Sequence, residues 1–89
     1  MSALAESFPS LRLLAGVRPF MPRLIDRQLS QLLLSGSACE PELHAGRLVL
    51  SAWHSDHPWD VGRFDLFEAL LWWDAEHRAA FVRWVQGLR

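Results

Sequence analysis

The sequence predicts an all-α fold, a compact bundle of four to five short helices in a single domain. Three observations point there. Apolar residues recur at three-four spacing in several stretches, prolines and glycines stand where helices begin and end, and aspartates precede apolar runs that need an N-terminal acceptor. The chain has 89 residues, enough for one domain spanning 1–89. A chain of this size buries only about 60–65 % of its unfolded surface, so its core must be used economically.

Residues 1–20 give the weakest pattern and are expected to be partly irregular. Ser10 to Ala15 can form a short helix stopped by Gly16, with Pro19 closing the segment. The next helix is better marked. Pro22 suits a first turn, Gly36 suits an end, and Leu24, Ile25, Leu29, Leu32 and Leu33 form one stripe opposite Arg23, Arg27, Ser30 and Gln31. Pro41 opens a third helix running to about Trp53. Leu43, Gly46, Val49, Leu50 and Trp53 share its wide apolar face, while His44, Arg47 and Ser51 make a polar strip. A helix apolar around most of its girth is expected to be the central one. A buried strand at Leu48 to Trp53 is the alternative, but no other stretch offers it a partner strand.

After the loop His54 to Gly62, Asp65 is placed to cap a helix starting at Leu66, and Glu68 completes a capping-box-like pair. Phe67, Leu70 and Leu71 are its expected inward residues. Asp74 reads as a second cap, for a last helix from Ala75 to about Leu88. Phe81, Trp84, Val85 and Leu88 form the apolar face of that helix, opposite Glu76 and Arg83.

Composition narrows the function. Net charge is −1, with nine arginines against ten acids, and no lysine is present. Nucleic acid is therefore a poor candidate partner, since phosphate binding calls for a basic surplus. Arg78, Arg83 and Arg89 make a modest basic edge, but Asp65, Glu68 and Asp74 offset it. Apolar runs are far shorter than the roughly 20 residues of a membrane span. Cys39 is the one cysteine, which excludes an internal disulfide and makes a cytoplasmic setting the expectation.

Candidate chemistry has bland counterparts. Cys39, His44, His54 and His57 are zinc-ligand types, and a metal clip would help a small core. Their spacing fits no zinc motif, and a helix over 41–53 would hold His44 and His54 about 15 Å apart at ~1.5 Å per residue. Cys39 paired with His44 or His77 lacks any oxyanion-forming motif, and His77, on the apolar side of the last helix, is expected to take a hydrogen-bonded packing role. The carboxylates Asp65 and Glu68 are explained by capping, and Asp56 with Asp60 by a solvated loop. No catalytic residue, cofactor or metal ligand is assigned, and the chain is read as a non-enzyme.

The tryptophans are the unusual feature, five in 89 residues. Trp72 and Trp73 would point about 100° apart on one helix, so both can hardly face one core. Trp59 follows a proline in the loop. Exposed indoles beside arginine are common binding anchors, which nominates Trp59, Arg63, Trp72, Trp73 and Arg78 as partner-contacting residues. Leu34 and Leu48, off their stripes, would extend the patch. The expected partner is another protein, or a second copy of the chain in a homodimer.

From Arg47 onward, Leu50, Trp53, Gly62, Phe64, Asp65, Leu66 and Asp74 stand in an order that resembles an uncharacterised domain family. Its members are small proteins of proteobacterial plasmids and integrative elements. The resemblance covers the C-terminal half, although the loop here is longer and richer in histidine. It implies a setting rather than an activity: cargo of mobile DNA, of a kind that often binds and blocks a host defence complex, as anti-CRISPR proteins do. A small DNA-binding regulator and a zinc-stabilised structural domain remain as alternatives.

Overall fold

The computed structural model describes residues 2–12 and 14–87. Five helices follow one another: α1 (Ser2–Ser7), α2 (Pro22–Leu34), α3 (Glu40–Trp53), α4 (Leu66–Trp72) and α5 (Ala75–Gln86). No strand occurs among the described residues. The expected all-α bundle is what forms, and α2, α3, α4 and α5 start and stop close to their punctuation. Leu88 and Arg89 lie outside the described residues.

The N-terminal expectation needs correcting. Instead of an α-helix over 10–15, α1 comes earlier and a single 3-10 turn spans Pro9–Leu11. Pro9 constrains the residue before it, and Phe8 is extended at φ −88° and ψ 120°, which ends α1. This segment is core rather than decoration: Leu4, Ala5, Phe8, Leu11 and Val17 are all buried.

α3 is central, as its girth of apolar residues predicts. It packs against α1, the 3-10 turn, α2 and α4, and buries Leu43, His44, Ala45, Gly46, Leu48, Val49 and Leu50. Leu48 and His44, off the expected apolar face, are enclosed rather than exposed, and α1 and the 3-10 turn both pack on α3. Trp53, expected inward, lies beyond that cover at the last turn and is 53 % exposed, with Phe20 edge-on at 5.4 Å. Gly46 is required by a close crossing: a Cβ there would fall 2.1 Å from Leu29 Cδ1 on α2. On α2, Ile25 and Leu29 are buried, whereas Leu33 is exposed and Leu34 fully outward.

The loop between α3 and α4 is fastened by two polar side chains. Asp26 on α2, itself buried, accepts the backbone N–H groups of Asp60 and Val61 at 3.2 and 3.0 Å. Arg47 on α3 donates to the Val61 carbonyl at 2.7 Å. Buried backbone groups need such partners, and with them Val61 enters the core. Gly62 follows with φ +91°, a conformation suited to glycine.

Candidate interaction surface

Asp65 starts α4 as expected, its carboxylate accepting the N–H groups of Phe67 and Glu68 at 3.0 and 3.2 Å. The facing of α4 is the opposite of the expected one. Only Ala69 is buried. Its small side chain lets α4 sit close on α3, with the bulky residues turned away. Phe67 is 82 % exposed and Leu71 80 %, and Leu66, Leu70 and Trp72 are exposed as well. The wheel accounts for this: at 100° per residue Phe67 and Leu71 lie about 20° on either side of the direction opposite Ala69.

The nominated residues separate. Trp72 is 55 % exposed, on the flank of α4 about 60° from Ala69. Trp73 does not, and its assignment to a binding surface is corrected. α4 ends at Trp72, and Trp73, four residues after the buried Ala69, falls about 40° from it at 100° per residue and so faces the core. There it is 2 % exposed, its Nε1–H donates to the Pro41 carbonyl at 3.1 Å, and Phe8, Phe64 and Phe81 surround it at centroid distances of 5.3, 5.8 and 5.7 Å. Trp59 is half-buried against the core. Its indole N–H donates to the His54 carbonyl and its ring lies 4.1 Å from that of His57. Its work is to hold the loop. Arg63 and Arg78 are exposed. The Arg78 guanidinium donates to the Leu70 carbonyl, which places a cation at the C-terminal end of α4.

The metal alternative is not supported by placement. His44 is buried on α3 with its Nε2 3.1 Å from Glu40 Oε2, Cys39 is exposed ahead of α3, and His54 and His57 pack together in the loop. Among the described residues, no three His, Cys, Asp or Glu side chains converge as a metal ion would require.

The hydrogen-bonded packing role expected of His77 is what forms, with a partner, Ser10, that the sequence did not suggest. His77 on α5 is buried between Phe8 and Trp73. Its Nδ1 lies 2.8 Å from Asp74 Oδ1 and its Nε2 2.7 Å from Ser10 Oγ. A carboxylate can only accept, so Nδ1–H donates to Asp74, and Nε2 shares a hydrogen bond with the Ser10 hydroxyl. Bonds from the His77 backbone N–H first, then from its ring, hold the Asp74 carboxyl below its ordinary value of 3.8. The connectivity is that of a nucleophile, base and orienting acid. Its surroundings differ, however. The imidazole is enclosed, and the neighbouring cleft of about 250 Å³ is walled by Ser7, Pro9, Arg12, Glu76, Ala79 and Arg83 rather than by Ser10. The bonds satisfy a buried ring and fasten the 3-10 turn to α5. Ser10 and His77 are 67 positions apart, so no local pattern could have signalled the pair.

The chain matches no protein-family model, no curated protein and no solved structure. No helix among the described residues is long and apolar enough to cross a membrane.

Proposed function

We propose that this chain is a protein-binding module rather than an enzyme, and that it binds through the outward face of α4. One observation carries the reading: a helix of seven residues turns Leu66, Phe67, Leu70, Leu71 and Trp72 to solvent while burying only Ala69. Contiguous apolar patches of this kind mark interaction sites on small proteins. Arg78 at one end, and Arg63 just before the helix, supply directional hydrogen bonding beside the rings. The refined contact set is therefore Phe67, Leu71, Trp72, Arg63 and Arg78, with Trp59 in a supporting place.

The resemblance of the C-terminal half to small proteins of mobile DNA supports a setting in the bacterial cytoplasm. It also supports a host defence complex as one target, bound and blocked in the manner of anti-CRISPR proteins. Two measurements test this. Tagged chain should retain a specific host complex that the Phe67→Ala, Leu71→Ala double variant does not. Expression of the chain should restore phage plaques on a host with active CRISPR defence. A variant that retains the same complex as the unmutated chain would move the binding site off α4. Plaque numbers unchanged by expression would remove the defence target.

A further inference from the structure

The geometry points to a second copy of this chain as the occupant of the α4 face, in a two-fold dimer with the two α4 helices antiparallel. This rests on α4 being the docking face, and it names the partner.

Shape and area come first. Phe67 and Leu71 form a crest one helical turn apart, flanked by Leu70 on one side and Trp72 on the other. Scaling side-chain areas of about 150–250 Å² by these exposures puts roughly 350 Å² of apolar surface on Phe67, Leu70 and Leu71. Two copies together then remove about 700 Å² of apolar surface before the charged ends are counted, which is the size of a weak, concentration-dependent interface. A crest can lie beside a copy of itself across a two-fold axis, which is the requirement of an isologous contact.

Charge comes second and sets the direction. Asp65 and Glu68 stand at the N-terminal end of α4, and the Arg78 guanidinium is held at the C-terminal end by the Leu70 carbonyl. Neither Glu68 nor Arg78 forms an ion pair with another described residue. A two-fold axis through the middle of α4 lays each acidic end beside the Arg78 end of the other copy, so the same attraction occurs twice. A parallel arrangement would set like charges together. A net charge of −1 leaves little long-range repulsion to overcome.

Sedimentation equilibrium of the purified full chain tests this. Over a wide concentration range the apparent mass should rise from one chain to two and stop there. Leu71→Arg, at a side chain already in solvent, should keep the helical circular dichroism and weaken association at least about tenfold. Glu68→Arg and Arg78→Glu should each weaken it, and the two together should restore it, because the swap recreates both contacts. A chain monomeric at every concentration overturns the proposal, as does a dimer indifferent to Leu71→Arg. A double swap that fails to restore association overturns the antiparallel pairing. Flotation with vesicles of anionic phospholipid, lost on Leu71→Arg while the chain stays monomeric, would put lipid on this face instead. A monomer whose host complex is still lost on mutating α4 would sink the dimer and leave the protein-binding reading standing.

Discussion

Trp72 and Trp73 adjoin in the chain and meet opposite surroundings. Trp72 ends α4 on a face where apolar side chains lie open to water. Trp73 begins the joint to α5 and is enclosed by three phenylalanines with its N–H satisfied. What separates them is direction: at 100° per residue Trp73 points to the side of Ala69 where Phe64 and Phe81 cover it, and Trp72 to the other side. The regions they belong to differ in the same way. Behind Trp73 the molecule buries polar groups, Asp26, His44 and His77, with partners for most of their atoms. In front of Trp72 it leaves large apolar groups without cover. A small domain that encloses a histidine but leaves Phe67 and Leu71 in water forgoes ~1.5–3 kcal/mol for each of those side chains, which is in keeping with the contact role proposed for them.

The sharpest way to break this comparison is to truncate both indoles. Trp73→Ala should cost about 3–5 kcal/mol in urea unfolding, as removal of a packed aromatic does. Trp72→Ala should stay within about 0.5 kcal/mol when measured on the monomer. Equal losses would mean the two are not differently buried. Next in size, Gly46→Ala should destabilise by roughly 1–3 kcal/mol, because Leu29 must move off the crossing of α2 and α3. Asp26→Ala should cost about 1–3 kcal/mol, since two loop N–H groups lose their acceptor. Faster hydrogen exchange at Val61 than at Leu50 would locate that loss in the loop.

The smallest effect is on pH dependence. The folded carboxyl of Asp74 is depressed below 3.8, chiefly by the His77 backbone N–H. Its contribution to stability is therefore present above 3.8 and disappears as pH falls through the lower folded value. Asp74 is mostly exposed, so solvent screens the effect. Asparagine caps a helix as well as aspartate does but does not titrate. Asp74→Asn should thus lower the melting temperature less on acidification below 3.8 than the unmutated chain does.

What could be read from the sequence was what is decided locally. Asp65 and Asp74 make their bonds two to three residues away, and Pro22, Pro41 and Gly36 act on the turns they sit in. The facing of α4 was not legible, because seven residues with five large apolar ones leave the inward direction to whichever neighbour fits, and a small Ala69 fits best. α1, which packs on α3, was not legible either, being a six-residue helix with no acidic residue in its first turn and little periodicity to detect. Of the nominated contacts, Trp72, Arg63 and Arg78 are exposed as the surplus of indoles suggested. Phe67 and Leu71 were assigned inward, and Trp73 outward, although Trp73 stands four residues after Ala69 and so shares its side of the helix.

The pairing of Ser10 with His77 bears on how the chain is made. Phe8 rests on Trp73 and His77, so while a ribosome has released only the first three helices, that phenyl ring lacks two of the rings that cover it. Complete burial of the N-terminal segment waits for α5 to emerge, and stalled or shortened products should be held by chaperones or degraded.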